Sequence, residues 1–328
     1  MPARALVLAA GLGTRLRPLT DSVPKPLLPV AGVPILGHTL LRLRALGCAA
    51  VAINLHHRGD TIRRHFGASF GGMPLVYSEE PEILGTLGAL HPLRDFLAAA
   101  DPLLLVNGDS LCRWPLAQLV ARHRASGARA TLLLASRPAP AAFGGGVGID
   151  GGGDIVSFRR GDREARPVAR RLVFAGAHVL APDLLSRVGP GPADIVSSLY
   201  TPLVAEGGRI ATLVTDRRWH DLGTPERFLA AALDWTRSSY VSDAADVKRG
   251  ATIARSLIEA GAAVEADARV RRSVLLPGAR AGRGSRISGS ILGPGVTVPP
   301  ETEVSGRLLT ADPCGGGGYV STPLGTGA

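Results

Sequence analysis

The sequence predicts an α/β protein, a Rossmann-like and mostly parallel sheet sandwich followed by a short left-handed parallel β-helix. Two observations support this fold class. Up to position 235, short apolar runs alternate with segments of helical periodicity, which is the pattern of strand–helix units around a parallel sheet. After position 250, aliphatic, serine and glycine positions recur at one fixed period, and such repetition indicates a solenoid.

The elements of the first region follow from local patterns. The run at 4–10 is short, apolar and followed by glycine, as a buried parallel strand is. Residues 34–46 place leucines at helical spacing before Gly47, which fits a C-cap, and another helix begins near Pro225. The predicted strands are RALVLAA (4–10), AAVAIN (49–54), PLLLVNGD (102–109), ATLLLAS (130–136), VGID (147–150) and RIATLVT (209–215).

The repeats of the second region align in blocks of 17 that start at Ile253. Each coil is expected to have three short sides around a ring of aliphatic side chains, with glycine at a corner. Three to four coils leave much of each end exposed, so we expect the stack to pack on the first domain or on another subunit of a homo-oligomer. The aligned columns are aliphatic at 253, 270, 287 and 304, serine at 256, 273 and 290, and glycine at 261, 278 and 295.

These patterns also predict the domain limits. The last segment is rich in glycine and has no apolar period, which predicts a disordered tail. The predicted limits are a catalytic α/β domain at 1–236, a linker at 237–250, the β-helix at 251–309 and the tail at 310–328.

Composition excludes several classes of protein. The 328 residues suffice for a core without disulfides, and the three scattered cysteines suggest a reducing, cytoplasmic location. No apolar run is long enough to span a membrane. The net charge of +10 comes from dispersed arginines, and only 4% of residues are aromatic, so we expect no nucleic-acid partner.

The strongest chemical signal is the signature segment LAAGLGTRLRPLTDSVPKPLLPVAG (8–32). A strand enters a loop with Gly11 and Gly13, whose backbone N–H groups can approach a phosphate closely. Thr14 and Arg15 add a hydroxyl and a planar cation for phosphate oxygens. Lys25 is one of two lysines beside 35 arginines, and it lies between two prolines that stiffen the backbone. The pattern therefore predicts a compact positive charge at a defined place.

The segment resembles the signature of the sugar-1-phosphate nucleotidylyltransferases, also called NDP-sugar pyrophosphorylases. The resemblance continues through GTLGAL (85–90), VNGD (106–109), FAG (174–176) and WHDLGTPERF (219–228). It implies a nucleotide-binding α/β sandwich that joins a nucleoside triphosphate (NTP) to a sugar-1-phosphate, with Arg15, Lys25 and Asp109 catalytic. The substrate-binding residues it implies are Leu8, Ala10, Gly11, Gly13, Thr14, Gly85, Thr86, Asn107, Gly108 and Gly176.

Two carboxylates are candidates for a metal site. Asp109 follows a predicted buried strand, and Asp221 lies in WHDLGTPE before a helix. Mg²⁺ prefers one or two carboxylates together with phosphate oxygens and water. Either aspartate alone fits a turn or a helix cap, but together within the resemblance they predict that Asp109 and Asp221 bind Mg²⁺. Trp219 and His220 are expected to shape the loop.

The sequence departs from the family pattern at one motif. It also leaves the identity of the nucleotide and of the sugar undecided. Many members bind the sugar phosphate with a Glu-Lys-Pro lysine, which is absent here, so Arg159 or Arg160 is a candidate substitute. No glutamine lies near ILGTLGAL (83–90), and LGTxGA resembles guanylyltransferases, with GTP and mannose-1-phosphate as the preferred pair. Other segments resemble muramate-phosphate uridylyltransferases, so a uridylyl- or thymidylyltransferase acting on another sugar-1-phosphate, of the glucose or muramate type, remains the alternative.

The sequence argues against three other functions. A non-catalytic nucleotide-sugar sensor would keep the fold, but the residues named for the chemistry are all present. An acyltransferase β-helix needs a catalytic histidine, and the repeat region has none. A Rossmann dehydrogenase needs the third glycine of GxGxxG, where this chain has Leu16. The repeats are therefore expected to be structural or oligomerising.

Overall fold

The computed structural model describes residues 3–159, 161, 166–312 and 318–325. The chain divides into two compact units. The first unit comprises Met1–Leu12 and His38–Trp219, and the second comprises Gly13–Gly37 and His220–Ala328. The signature segment is therefore shared between the units, and its larger part belongs with the repeats.

The strands are β1 Arg4–Leu8, β2 Pro29–Val30, β3 Val33–Pro34, β4 Ala50–Leu55, β5 Ser69–Phe70, β6 Met73–Glu79, β7 Leu103–Asn107, β8 Ser110–Cys112, β9 Ala130–Ala135, β10 Val147–Ile149, β11 Ile155–Ser157, β12 Arg170–Leu180, β13 Ile210–Thr215, β14 Trp219–Asp221, β15 Tyr240–Val241, β16 Asp246–Val247, β17 Thr252–Ala254, β18 Leu257–Ile258, β19 Ala263–Val264, β20 Arg269–Arg271, β21 Val274–Leu275, β22 Arg280–Ala281, β23 Arg286–Ser288, β24 Ile291–Leu292, β25 Thr297–Val298, β26 Glu303–Ser305, β27 Arg307–Ala311 and β28 Tyr319–Pro323. The α-helices are α1 Leu19–Ser22, α2 Ile35–Leu46, α3 Gly59–Phe66, α4 Gly85–Gly88, α5 Arg94–Ala98, α6 Leu116–Ser126, α7 Thr201–Ala205 and α8 Pro225–Thr236.

The first unit is built on one sheet with the order β11-β10-β12-β7-β1-β4-β6-β5, and β9 joins β12 to β13. Strand β1 lies between β4 and β7 and is parallel to both. The long strand β12 runs antiparallel to β7 and β9. The chain passes from β1 toward β4 on one side and reaches β7 on the other, which creates a crevice at the carboxyl ends of these strands.

The core of the first unit explains the predicted elements. The middle residues of β1, β7 and β9 are fully or almost fully buried, as expected for strands covered on both faces. In α2, Leu36, Leu40 and Leu43 are fully buried, which follows the predicted helical spacing. The mixed, mostly parallel sheet confirms the predicted α/β class. Among the described residues, none of the helices combines the length and the apolar character that a membrane span requires.

The repeats form a parallel β-helix with three sheets. One sheet has the order β15-β18-β21-β24-β27, another β16-β19-β22-β25, and the third β17-β20-β23-β26. In the third sheet Ile253 pairs with Val270, Val270 with Ile287, and Ile287 with Val304. Each partner occupies the same position in the next sequence block, so the period read from the sequence is the length of one coil.

The serine column holds successive coils together. The hydroxyl oxygen of Ser256 accepts the backbone N–H of Ser273 at 3.1 Å. Ser273 accepts the N–H of Ser290, and Ser290 that of Arg307, each at 3.1 Å. All three serines are fully buried. Their column therefore satisfies backbone donors inside the stack, which explains why serine recurs once in every coil.

The first coil differs from the prediction. The segment 237–250 was expected to be a linker, but β15 pairs with β18 and β16 pairs with β19. The β-helix therefore begins at Tyr240. The linker prediction is wrong because each side of a coil is only two or three residues long, and the aliphatic period is weak in this first coil, where Asp246 and Val247 are exposed.

The predicted disordered tail differs as well. Within 310–328, Tyr319–Pro323 forms β28, which pairs antiparallel with β27. The N–H of Gly325 donates to Glu226 Oε1 at 2.9 Å, and the N–H of Leu324 donates to the Gly306 carbonyl at 2.8 Å. A strand that pairs antiparallel with the last coil needs neither a helical period nor the period of the coils. The glycine-rich sequence of the tail therefore gave no indication of β28. Residues 313–317, including Cys314, lie outside the described residues.

Candidate functional site

The first unit gathers several predicted residues at the carboxyl edge of its sheet. Leu8, the last residue of β1, is in register with Asn54 of β4 and Asn107 of β7. The loops that follow these three strands therefore start at the same level. In open α/β sheets, ligands bind in the crevice outside this edge.

Glycines allow the loops at this edge to approach each other. A Cβ added to Gly108 would lie 2.9 Å from Val7 Cγ1 and 3.0 Å from the Leu8 carbonyl oxygen. Gly176 has a φ of +74°, and an added Cβ would lie 3.2 Å from Asn107 Cβ. Leu8, Asn107, Gly108 and Gly176 therefore lie close together, and both glycines have a packing role.

A chain of hydrogen bonds that the sequence analysis missed links the loops, and we call it the Glu80 network. The N–H of Ala9 donates to Asn54 Oδ1 at 2.7 Å, and Asn54 Nδ2 donates to Glu80 Oε1 at 2.8 Å. The N–H of Leu84 donates to Glu80 Oε2 at 2.9 Å. Asn54 and Glu80 are each 3% exposed. Because buried polar groups in a satisfied network have few alternatives, this chain holds the loops after β1 and β6 in place.

The turn at Gly85 and Thr86 is held from another direction. Gly85 has a φ of +74°, and a Cβ there would lie 2.7 Å from the Ala193 carbonyl oxygen. The Thr86 hydroxyl accepts the N–H of Ile195 at 2.8 Å and lies 3.2 Å from Asp194 Oδ2. These contacts give Thr86 a structural role beside the predicted role in substrate binding.

Gly11 differs from the other glycines of the first unit. A Cβ added to Gly11 meets no atom within 4 Å, and its φ is not in the left-handed region. Protein packing therefore does not require glycine at this position. Space left open beside an exposed backbone is what close approach of a phosphate needs.

The second unit carries the cations of the signature segment. Gly13 has a φ of +65°, and an added Cβ would lie 3.3 Å from Thr20 Cγ2 and 3.4 Å from Lys25 Cβ. The Thr20 hydroxyl donates to the Gly13 carbonyl at 3.0 Å. Lys25 begins the short 3₁₀ helix Lys25–Leu27 and is only 7% exposed. Lys25 is thus packed against the glycine loop, with Thr14 and Arg15 in the turn that follows Gly13.

Asp221 and Arg15 meet at Gly223 in the same unit. A Cβ added to Gly223 would lie 3.0 Å from Arg15 Cζ and 3.0 Å from Asp221 Oδ2. Arg227 Nη1 donates to Asp221 Oδ2 at 2.5 Å. Arg227 lies in the first turn of α8, where its own N–H donates to the Thr224 cap at 3.3 Å. A capped helix therefore positions the cation that orients Asp221, while Gly223 leaves room for the Arg15 guanidinium.

The first unit also contains a cavity of about 260 Å³. Aromatic and aliphatic side chains form most of its wall, and Phe143 packs edge-to-face on Trp219 at 5.1 Å between ring centroids. Arg159, one of the two candidates for the sugar phosphate, lines this cavity. Arg160, the other candidate, lies outside the described residues. His220 Nε2 lies 3.0 Å from Asp234 Oδ2, so both Trp219 and His220 have structural partners.

Buried titratable groups near the sheet are not suited to proton transfer or nucleophilic attack at neutral pH. Burial lowers the pKa of His178, a cavity residue, to about 3. His178 Nδ1 lies 2.6 Å from the Tyr200 hydroxyl. Burial also raises the pKa of the Cys112 thiol to about 12. Neither His178 nor Cys112 is therefore a candidate for a reactive group.

The donor set of the predicted metal site fits a hard cation. Asp109 lies in the turn between β7 and β8 at the carboxyl edge of the first unit. Asp221 is oriented in the second unit by Arg227, and a carboxylate keeps lone pairs after accepting one hydrogen bond. Carboxylate oxygens are the ligands that Mg²⁺ prefers. No group of three or more histidine, cysteine or acidic residues in the described ranges forms a metal cluster.

The residues that the sequence analysis missed share one property. Asn54, Glu80, Gly223 and Arg227 contact predicted site residues or the segments that carry them, and motif patterns did not single out these four residues. The only available signals were weak. Asn54 is the polar end of an apolar run, and Glu80 follows a strand.

Comparison with known proteins gives two family matches. Residues 4–238 match the family described as nucleotidyl transferase, and residues 231–312 match the GlmU-like, C-terminal hexapeptide family. The first match covers well over half of the chain.

Individual relatives are similar over the same region. The mannose-1-phosphate guanylyltransferase catalytic subunit beta of Drosophila pseudoobscura pseudoobscura is 34% identical over 229 residues, 69% of this chain and 60% of that protein. The mannose-1-phosphate guanylyltransferase of Mycobacterium tuberculosis (strain ATCC 25618 / H37Rv) is 35% identical over 262 residues, 79% of this chain and 70% of that protein. The mannose-1-phosphate guanyltransferase of Schizosaccharomyces pombe is 29% identical over 230 residues, 69% of this chain and 62% of that protein. The chain thus spans about six tenths of the fly and yeast relatives.

Proposed function

Because this chain belongs to the nucleotidyl transferase family, we propose that it transfers a nucleoside monophosphate from an NTP to a sugar-1-phosphate. An oxygen of the sugar phosphate bonds to the α-phosphorus while the bond from that phosphorus to the bridging oxygen of the β-phosphate breaks. Pyrophosphate leaves, and an NDP-sugar forms. No proton has to move in this step because the attacking phosphate is already ionised.

The burial of Lys25 beside Gly13 is the observation that carries this proposal. Lys25 is 7% exposed, and lysine is among the residue types that are least often buried in proteins. Both substrates are anions, so the reaction needs fixed cations against their repulsion and against the charge of the transition state. Arg15, in the loop after Gly13, supplies the second cation. Gly11, Gly13 and Thr14 contribute backbone and hydroxyl donors to the triphosphate.

Asp109 and Asp221 would hold Mg²⁺ in this proposal. When bound, the ion neutralises phosphate charge and helps to align the two substrates. Arg227 keeps the Asp221 carboxylate oriented by the hydrogen bond to Oδ2. The turn between β7 and β8 presents Asp109.

The substrates proposed are GTP and mannose-1-phosphate, and the product is GDP-mannose. The names of the relatives support this pair, and so does the absence of a glutamine near residues 83–90. The cavity lined by Phe143, Trp219 and Arg159 is the proposed sugar subsite. Arg159 there would take the role of the missing lysine toward the sugar phosphate.

Pyrophosphate release tests the function directly. Each common NTP is paired with a panel of sugar-1-phosphates, with Mg²⁺ present or removed by chelator. We expect the highest kcat/KM for GTP with mannose-1-phosphate. Faster turnover of UTP or dTTP would show that the assigned nucleotide is wrong, while the proposed type of reaction would still hold. If the protein binds a nucleotide or an NDP-sugar but releases no pyrophosphate from any pair, the proposed enzymatic function is wrong. A nucleotide-sugar sensor would then be the better interpretation.

The assembly is also a proposal. We propose a cytoplasmic homo-oligomer in which the β-helix covers its exposed strand edges against a second copy. Light scattering on the full chain measures the mass. A monomer at micromolar concentration would contradict the oligomer without affecting the reaction.

A further inference from the structure

One acidic side chain interrupts the apolar pattern of the β-helix. Glu259 follows Ile258 in the second coil, and the equivalent positions in the next two coils are Leu276 and Gly293. Its backbone N–H donates to the Leu275 carbonyl at 2.9 Å, as in the other coils. Glu259 is only 1% exposed, and burial raises the pKa of its carboxyl group. A buried carboxylate is costly, so it must have partners at this position.

Its partners lie in the signature segment. Glu259 Oε1 accepts the N–H of Ala31 at 2.9 Å, and Oε2 accepts the N–H of Gly32 at 2.9 Å. Ala31 and Gly32 form the two-residue turn between β2 and β3, with φ values of 55° and 77°. In such a turn both N–H groups point away from the hairpin. One carboxylate of the β-helix therefore binds both donors.

A second part of the β-helix closes on the same turn. A Cβ added to Gly32 would lie 2.2 Å from the Tyr240 hydroxyl oxygen. Tyr240 belongs to the first coil, where its N–H donates to the Ser256 carbonyl at 2.9 Å. Hairpin 29–34 is thus held by the first two coils through Tyr240 and Glu259, and only glycine fits at residue 32.

The hairpin is coupled to Lys25 by short backbone hydrogen bonds. The N–H of Leu28 donates to the Lys25 carbonyl at 3.1 Å, and the N–H of Ile35 donates to the Leu28 carbonyl at 3.0 Å. The hairpin therefore begins where the turn carrying Lys25 ends. A shift of the hairpin is transmitted to the backbone of Lys25 because no flexible residue separates them.

We propose that Glu259 is a positioning residue through which the β-helix sets the place of Lys25. This inference rests on the proposed nucleotidyl transfer, in which Lys25 contacts the phosphates. It gives the repeats a part in the reaction beyond bracing or assembly. It also explains why an acidic residue occupies a column that holds Ser242, Leu276 and Gly293 in other coils.

Two variants and one control test the proposal. In Glu259→Gln the side chain keeps its size, but its NH₂ group cannot accept the second N–H. Glu259→Asp keeps the charge and is too short to reach both donors. The control is Glu265→Gln on the surface of the β-helix, where Glu265 pairs with Arg280. We expect kcat to fall about tenfold or more in Glu259→Gln, less in Glu259→Asp, and to stay unchanged in the control.

A chemical readout separates positioning from general destabilisation. The only other lysine is Lys248, whose side chain is 50% exposed, so it serves as an internal reference for acylation measured by mass spectrometry. We expect the ratio of Lys25 to Lys248 modification to rise several-fold in Glu259→Gln at temperatures well below its Tm. Wild-type kcat together with an unchanged ratio in both Glu259 variants would overturn the proposal.

Hydrogen exchange on the unaltered protein provides a test that needs no variant. The turn Gly71–Gly72 between β5 and β6 has φ values of 55° and 83°, close to the values of the Ala31–Gly32 turn. Within the described residues its N–H groups have no protein acceptor. We expect slower exchange at Ala31 and Gly32 than at Gly71 and Gly72, and equal rates would refute the contact. Exchange and acylation do not depend on turnover, so a failure of the proposed function is seen separately, as absent pyrophosphate release in wild type.

Discussion

Gly223→Ala should make the protein no less stable and yet a poorer catalyst. The φ of Gly223 is outside the left-handed region, so alanine is free of backbone strain there. The added Cβ lies 3.0 Å from Arg15 Cζ and 3.0 Å from Asp221 Oδ2. Both contacts are to the ends of side chains, which can move aside. The methyl group is therefore accommodated because the Arg15 guanidinium and the Asp221 carboxylate move away from their wild-type positions.

The size of the effect follows from these distances. A normal contact of a Cβ begins near 3.4 Å, so each group must move by about 0.4 Å, and a misplacement of 1 Å at a reacting centre costs about 10²-fold. We expect kcat/KM to fall about tenfold. Replacing glycine by alanine in an unstrained position stabilises a protein by about 0.4–1 kcal/mol, so the Tm should stay level or rise.

The matched control is Gly151→Ala. A Cβ at Gly151 meets nothing within 4 Å, and its φ is also outside the left-handed region. Pyrophosphate release and thermal unfolding are measured for both variants and wild type. Full activity of Gly223→Ala at unchanged Tm would show that the positions of Arg15 and Asp221 are not needed. Loss of activity with a strongly lowered Tm would show that the packing argument is wrong.

The remaining predictions concern the metal ligands, the lysine and one buried histidine. Asp109→Asn and Asp221→Asn should each abolish most Mg²⁺-dependent turnover while circular dichroism stays unchanged, and full turnover in excess chelator would contradict the metal assignment. Lys25→Arg should lower kcat about tenfold or more because a bulky fork replaces a compact ammonium, and Lys25→Ala should lower it further. A wild-type kcat in Lys25→Arg would show that a compact point charge is not required at this position. Burial lowers the pKa of His178 from 6.5 to about 3, so the unfolded chain binds one more proton between these pH values. The free energy of unfolding should then fall by about 1.4 kcal/mol per pH unit as pH drops through this window. Denaturant unfolding of His178→Gln from pH 7 to 4 should show a smaller slope, and an identical slope would exclude His178 as the cause.

Much of the fold was predictable because it depends on local periodicity. Strand β1 and helix α2 lie within a residue or two of their predicted limits, since the burial of Leu6 and Leu40 is what their spacing encodes. The length of one coil was readable for the same reason, because every coil buries the same column. The first coil and strand β28 were missed because weak or antiparallel pairing leaves no such period.

For the candidate site as well, some features can be read from the sequence and others depend on the folded chain. The sequence alone was enough to predict the groups proposed to carry the chemistry, Arg15, Lys25, Asp109 and Asp221, because residue type and motif spacing are local properties. The contacts that hold the surrounding segments in place are visible only in the folded chain. Glu259 binds the turn at Ala31 although 228 residues separate the two. Contacts between residues so far apart arise when the whole chain is packed, and no periodicity or composition near either residue encodes them.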